Sequence, residues 1–216
     1  MITANIIQRV FRISHKGRTA SAYTIEKDEN QYLISASHVF DGSSEIPSVT
    51  IYQDGKWKDI HVQTVYNSRD VGDTIVFKLP YDISPRHKIS LGTENIIWGT
   101  WAYFLGFPFG ITNPDKGINN NFPIPFIKAG LISGLNFERE GLITVFLDGH
   151  NNKGFSGGPV AWINPEDRKE IQIIGTVSGY LTESPIHTQT LDDIKDYGNN
   201  AGIIEAFWIK NILNLI

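Results

Sequence analysis

The chain has 216 residues and is 41% hydrophobic, enough for one large unit or two small ones with a real core. Its formal net charge of −4, with no run of Lys or Arg, argues against nucleic acid as the main partner. It has no cysteine, which excludes disulfides and Cys metal sites, and no apolar stretch of membrane-spanning length.

Taken in order, the first half is a series of short strand patterns. Met1 to Val10 lacks a charged start followed by a long apolar run, so it reads as the opening of a first strand rather than a signal peptide. With the missing cysteines, that points to the cytosol. Ile6 to Ile13, Ala20 to Glu26 and Gln31 to Ala36 are apolar and extended, with turns at Gly17-Arg18 and Lys27 to Asn30. His38 to Phe40 predicts a tight helical turn. Ser48 to Gln53, Trp57 to Tyr66 and Thr74 to Leu79 complete the set, with Asp54-Gly55 as a hairpin turn. Six strands with regular turns predict a closed antiparallel barrel.

Pro80 to Asn95 is polar, holds two prolines, and reads as a connection between two barrels. The second half supplies Trp98 to Leu105, Phe126 to Leu135, Gly141 to Leu147, Pro159 to Ile163, Ile171 to Val177 and Ala201 to Ile204 as extended segments. Asn113 to Asn121 reads as an Asn- and Gly-rich loop, and Leu181 to Asn200 as a polar loop with a short helix around Leu191 to Tyr197. Ala206 to Ile216 predicts a terminal amphipathic helix, because Phe207, Ile209, Ile212, Leu213 and Ile216 fall near helical spacing.

The stretch with the most chemistry is Gly154-Phe155-Ser156-Gly157-Gly158-Pro159. Glycines let a chain turn sharply and aim successive N–H groups into one small space. A serine hydroxyl beside converging N–H groups is what acyl transfer needs: a nucleophile and a hole for the oxyanion. The plain alternative is a Gly-rich hairpin turn. Against it stand a histidine that follows a strand, in Ser35-Ala36-Ser37-His38, and an acid that opens an apolar strand, in Asp73-Thr74-Ile75-Val76-Phe77-Lys78-Leu79. Imidazole titrates near neutrality and suits a general base. His15, His61, His87, His150 and His187 lack that Ala-Ser-His context.

In these motifs, in the order His, Asp, Ser, the chain resembles the trypsin-like (chymotrypsin-fold) serine peptidases. Ser-Ala-Ser-His stands where that family has Thr-Ala-Ala-His, and Gly-Phe-Ser-Gly-Gly-Pro where it has Gly-Asp-Ser-Gly-Gly-Pro. The intervals of 35 and 83 residues are compact for the family. Gly175-Thr176-Val177-Ser178-Gly179 looks like its cleft-lining strand. Gly106-Phe107-Pro108-Phe109-Gly110 and Ala129-Gly130-Leu131-Ile132-Ser133 are similar to its bacterial members. The resemblance implies an all-β fold: two six-stranded antiparallel barrels, 1–85 carrying His and Asp and 86–216 carrying Ser, plus a C-terminal helix. It implies Ser156 as nucleophile, His38 as base, Asp73 as orienting acid, and the Gly154 and Ser156 N–H groups as oxyanion hole. Asp70 is a rival acid, since Asp70-Val71-Gly72 also matches the family's Asp-Ile-Ala; Asp73 is preferred because the apolar strand follows it at the family's spacing.

One departure is Phe155, where the digestive members have an Asp that binds a newly cut N-terminal ammonium. Phe155 cannot form that ion pair, so the site is either preformed or ordered by a loop or a regulatory partner. By resemblance the pocket floor is His150, with Ser178, Gly179 and Tyr180 as its wall. His150 could favour acidic side chains and Tyr180 small ones; the alternative for His150 is an exposed loop histidine. The leading expectation is a cofactor-free serine endopeptidase acting on protein or peptide substrates through an acyl-enzyme. A latent or silent trypsin-like fold acting as a protein-binding module is the alternative. A metal-dependent hydrolase has no HExxH or clustered ligand set behind it.

Overall fold

The computed structural model describes residues 2–41, 43, 45–69, 72–92, 96–114, 117, 119–139, 142–167, 170–183, 199–213 and 216. The helical turn α1 (Ala4–Ile7) leads into β1 (Val10–His15), β2 (Arg18–Lys27) and β3 (Asn30–Ala36), an antiparallel meander. Its two-residue turns have positive φ throughout: 48° and 80° at Lys16 and Gly17, 46° and 65° at Asp28 and Glu29. That backbone matches the right-handed twist of the strands it joins. β4 (Ser48–Gln53) and β5 (Lys56–His61) meet at the Asp54–Gly55 turn. β6 (Gln63–Ser68) and β7 (Thr74–Lys78) complete a sheet of order β5-β4-β1-β2-β3-β7-β6. The two outer strands, β5 and β6, are arms of one chain segment, so the sheet curls back on itself. The segment expected as one strand, Trp57 to Tyr66, is split at Val62: its N–H extends the β4–β5 register by donating to the Pro47 carbonyl at 3.0 Å, and from Gln63 the chain pairs with β7 instead.

The second sheet holds β8 (Ser90–Leu91), β9 (Trp101–Gly106), β10 (Phe126–Arg139), β11 (Leu142–Asp148), β12 (Pro159–Ile163), β13 (Ile171–Glu183) and β14 (Asn199–Trp208). Its order is β12-β9-β10-β11-β14-β13, and β13 pairs back onto β12, so six strands close a barrel; β8 adds in parallel to β13. The architecture is all-β and chymotrypsin-like.

Both termini correct the reading from sequence. Ala4–Ile7 is helical, not extended: the Ile6 and Ile7 N–H groups both donate to the Thr3 carbonyl, and the turn drops Ile6 fully into the core. Ala206 to Trp208 belongs to β14, and the terminal helix α2 is the single turn Lys210–Leu213. The apolar residues of this tail satisfy both periods. Ile204, Ala206 and Trp208 alternate inward, and β11 and β13 pair with the strand on its two sides. Two ladders outweigh the amphipathic stripe that a lone helix would offer. The helix expected near Leu191 to Tyr197 lies outside the described residues.

Phe11, Ile13, Leu33, Phe40, Ile75 and Phe77 fill the first barrel. Phe104, Val145, Leu147, Trp162, Ile174 and Val177 fill the second, and their cluster runs on through Tyr23, Ile25, Ile34 and Val76 of the first. Burial of each such side chain contributes about 1.5–3 kcal/mol. The shared cluster locks the barrels together and fixes the loops at their seam. Among the described residues, no helix is long and apolar enough to cross a membrane.

Candidate active site

His38 sits in the helical turn Ser37–Phe40 that ends β3, held by its buried neighbours Ser37, Val39 and Phe40. Asp73 stands just before β7, with φ of 33°. Its side chain is 10% exposed and that of His38 37%. His38 Nδ1 lies 2.7 Å from Asp73 Oδ2. The His38 backbone N–H donates to Oδ1 at 2.8 Å, and the Ser178 hydroxyl donates to Oδ2 at 2.5 Å. A carboxylate only accepts, so Nδ1 carries the proton and Nε2 is left as the acceptor. Asp70, the rival acid, lies outside the described residues.

Ser156 lies on the turn between β11 and β12. Its hydroxyl donates to the Ser178 carbonyl at 2.9 Å and makes no hydrogen bond to His38. Backbone crowding explains the glycines beside it. A Cβ on Gly157 would lie 2.2 Å from the Ser21 carbonyl oxygen, and one on Gly158 2.0 Å from that of Leu105. The Gly157 N–H donates to Val177 at 2.7 Å and the Gly158 N–H to Phe155 at 2.8 Å. Among the described residues, the N–H groups of Gly154 and Ser156 donate to no acceptor. The Lys153 carbonyl is turned to the Phe109 N–H at 2.7 Å. The peptide is trans, so the Gly154 N–H on its far side points away from Phe109.

Next to the nucleophile, Phe155 is fully buried, its ring edge-on to Phe104 at 5.0 Å. The run before it is pinned by residues the motifs did not mark. Lys128 donates to the His150 carbonyl, and to Asn152 Oδ1 at 3.2 Å. His150 itself is exposed, while Asn151 is buried at 2%. Asn151 Nδ2 donates to the Gly179 carbonyl at 3.2 Å, and Asn200 donates to the Asn151 carbonyl at 2.8 Å. A Cβ on Gly179 would meet nothing within 4 Å, so the face of β13 is uncrowded there; Tyr180 beside it is half-buried. Ser178, expected only as a wall, joins the acid and the serine: hydroxyl to Asp73, carbonyl from Ser156. No cluster of three or more metal-ligating side chains occurs among the described residues.

The family model of the trypsin-like peptidase domain matches residues 11–164, a span that holds His38, Asp73 and Ser156. The chain belongs to this family. It is a serine endopeptidase by that membership, with the fold in agreement. Among solved structures, Rv3671c from M. tuberculosis H37Rv, a serine-to-alanine mutant in its inactive form, is 18% identical with a TM-score of 0.60. That match covers 98% of this chain and 86% of the other. The HtrA-type protease AlgW, solved with a tripeptide, is 22% identical with a TM-score of 0.64, over 96% of this chain. The match spans only 58% of the AlgW chain. At these identities the likeness is one of fold. No curated protein matches by sequence.

Proposed function

We propose that the peptidase cleaves peptide bonds with Ser156 as nucleophile, His38 as general base and Asp73 as the acid that orients it. The 2.7 Å contact between His38 Nδ1 and Asp73 Oδ2 carries this reading. It fixes the tautomer in which Nε2 can take the Ser156 proton. The hydroxyl first turns from the Ser178 carbonyl to Nε2. Its oxygen then attacks the substrate carbonyl, and the developing oxyanion takes the free N–H groups of Gly154 and Ser156. Protonated His38 gives its proton to the leaving amine, which leaves an acyl-enzyme. Water, deprotonated by His38, hydrolyses that ester and restores Ser156. In this reading residues 1–85 supply base and acid, residues 86–216 the nucleophile, and substrate lies along β13 at the uncrowded Gly179. The cysteine-free composition is compatible with a cytosolic setting.

A second reading is a latent fold that waits for an ordering partner. It draws on the Ser156 hydroxyl being held by Ser178 instead of His38. A fluorophosphonate probe separates the two. Labelling of the purified protein at Ser156, lost in Ser156→Ala, supports the first. An unlabelled protein that becomes reactive only with a second protein supports the second. Ser156→Ala should lower turnover by about 10⁶, as loss of a triad serine does.

A further inference from the structure

We propose that Ser21, a buried serine of the first barrel, is the positioning residue that holds the oxyanion-hole backbone of the second. The inference rests on the assignment of Ser156 as nucleophile and of the Gly154 and Ser156 N–H groups as oxyanion donors.

Three successive peptide planes set the direction of those two N–H groups, and each is anchored through its carbonyl. The Lys153 carbonyl takes the Phe109 N–H at 2.7 Å, and the Phe155 carbonyl takes the Gly158 N–H at 2.8 Å. The plane between them has two anchors: its Phe155 N–H donates to the Asn152 carbonyl at 3.3 Å, and the Ser21 hydroxyl donates to its Gly154 carbonyl at the shorter 2.7 Å. The same oxygen accepts the Phe107 N–H at 3.0 Å. One hydroxyl therefore ties the nucleophile loop to the strap Phe107 to Phe109, and that strap supplies the N–H that orients the Lys153–Gly154 plane. The Ser21 backbone N–H adds a bond to the Ser156 carbonyl at 2.9 Å.

The socket is tight. Ser21 is 0% exposed. A Cβ on Gly106 would lie 2.5 Å from the Ser21 hydroxyl, and one on Gly154 2.2 Å from the Phe107 carbonyl oxygen. Ser35 donates to the Ser21 carbonyl at 2.8 Å and fixes its backbone. Ser21→Ala leaves both backbone bonds of Ser21 in place and removes only the bridge. The Gly154 carbonyl and the Phe107 N–H then lose their partner in a buried site. The middle plane rotates to relieve this and carries the flanking N–H groups off their aim. Ground-state contacts along β13 do not pass through this bridge, so the loss falls on the transition state.

The test compares wild type, Ser21→Ala and Ser21→Cys on one cleaved library peptide and on the matching peptide aldehyde. The aldehyde adds to Ser156 and places an oxyanion in the hole. The Ser21→Ala variant is expected to lower kcat by about 10²-fold, as loss of one oxyanion donor does. KM should move by less than about 3-fold, and aldehyde affinity should fall in step with kcat/KM. Ser21→Cys, which keeps a weaker donor, should fall between. If Ser21→Ala folds and keeps wild-type kcat and aldehyde affinity, the proposal is overturned. A rise in KM alone overturns it too, and failure of both variants to fold makes Ser21 a purely structural residue. If the wild type itself is not labelled at Ser156 by fluorophosphonate, the triad reading has failed, and the role of Ser21 falls with it.

Discussion

Ser178 holds Ser156 and the acid at once: its carbonyl receives the Ser156 hydroxyl at 2.9 Å, and its own hydroxyl donates to Asp73 Oδ2 at 2.5 Å. The strand β13 thereby spans the seam between the barrels. Among the described residues three donors meet the Asp73 carboxylate, and β13 supplies the one that comes from the second barrel.

That geometry makes Ser178→Ala informative. The carbonyl that receives Ser156 remains, and only the donor to Asp73 is lost. A hydrogen bond to a charged acceptor is worth about 1.5–3 kcal/mol, so kcat should fall by about 10- to 100-fold. Steady-state kinetics beside a thermal melt would check this. An unchanged kcat in a folded variant would mean that the His38 contacts alone orient Asp73.

The acid itself gives the larger effect. Asp73→Asn offers an N–H where His38 Nδ1 needs an acceptor, which favours the wrong tautomer. Turnover should drop by about 10⁴ while the fold persists. Asp70→Asn should leave activity within a few-fold of wild type. The opposite ordering in peptide turnover would move the role to Asp70.

How much of this was legible in the sequence depended on range. The Asp54-Gly55 turn and the strand before it, Ser48–Gln53, are local patterns and stand where the sequence put them. His38, Asp73 and Ser156 each sit in a local context that names a chemistry. The split at Val62 comes where the chain leaves β4 for β7, and no local period marks it. Ser21 carries no signal at all within Thr19-Ala20-Ser21-Ala22; its partners Phe107 and Gly154 lie 86 and 133 residues away. Asn151 is one of two adjacent asparagines, and only the folded loop selects it for burial. The C-terminal tail fitted two periods, and tertiary pairing chose the strand.

Alkaline pH should loosen the seam through Tyr23. Its hydroxyl shares a 2.8 Å hydrogen bond with Thr176 of β13, and its ring is fully buried. Burial pushes the phenol well above its ordinary value of 10.0, with the Thr176 bond opposing only in part. Below that ordinary value both folded and unfolded chains hold the proton, and the contribution is complete. Above it the unfolded chain ionises first, binds fewer protons, and gains relative stability. Folding stability should therefore fall as pH rises beyond about 10, by up to about 1.4 kcal/mol per pH unit from this residue. Urea unfolding of wild type and Tyr23→Phe between neutral pH and pH ~11 isolates the term. The wild type should lose stability more steeply than the variant, and parallel curves would count against it.

Phe155 decides how the site is kept in order. An ion pair with a freed N-terminus needs a carboxylate beside the nucleophile, and this chain places there a ring that is 0% exposed and packed edge-on against Phe104. The Lys128 ammonium sits 5.9 Å from the same ring while donating to the His150 carbonyl and to Asn152. Besides the Ser21 bridge from the first barrel, the loop is thus held from inside the second barrel by burial of Phe155 and by Lys128. A short N-terminal extension should leave kcat and KM on a peptide substrate nearly unchanged. Phe155→Ala should cost about 3–5 kcal/mol of stability, and Phe155→Asp more, since it also buries a carboxylate while Lys128 is already engaged by the His150 carbonyl and Asn152. Denaturant melts of the two variants, beside turnover of tagged and untagged enzyme, give the comparison. An inert tagged enzyme that recovers when the tag is removed would show that a free N-terminus orders this site after all.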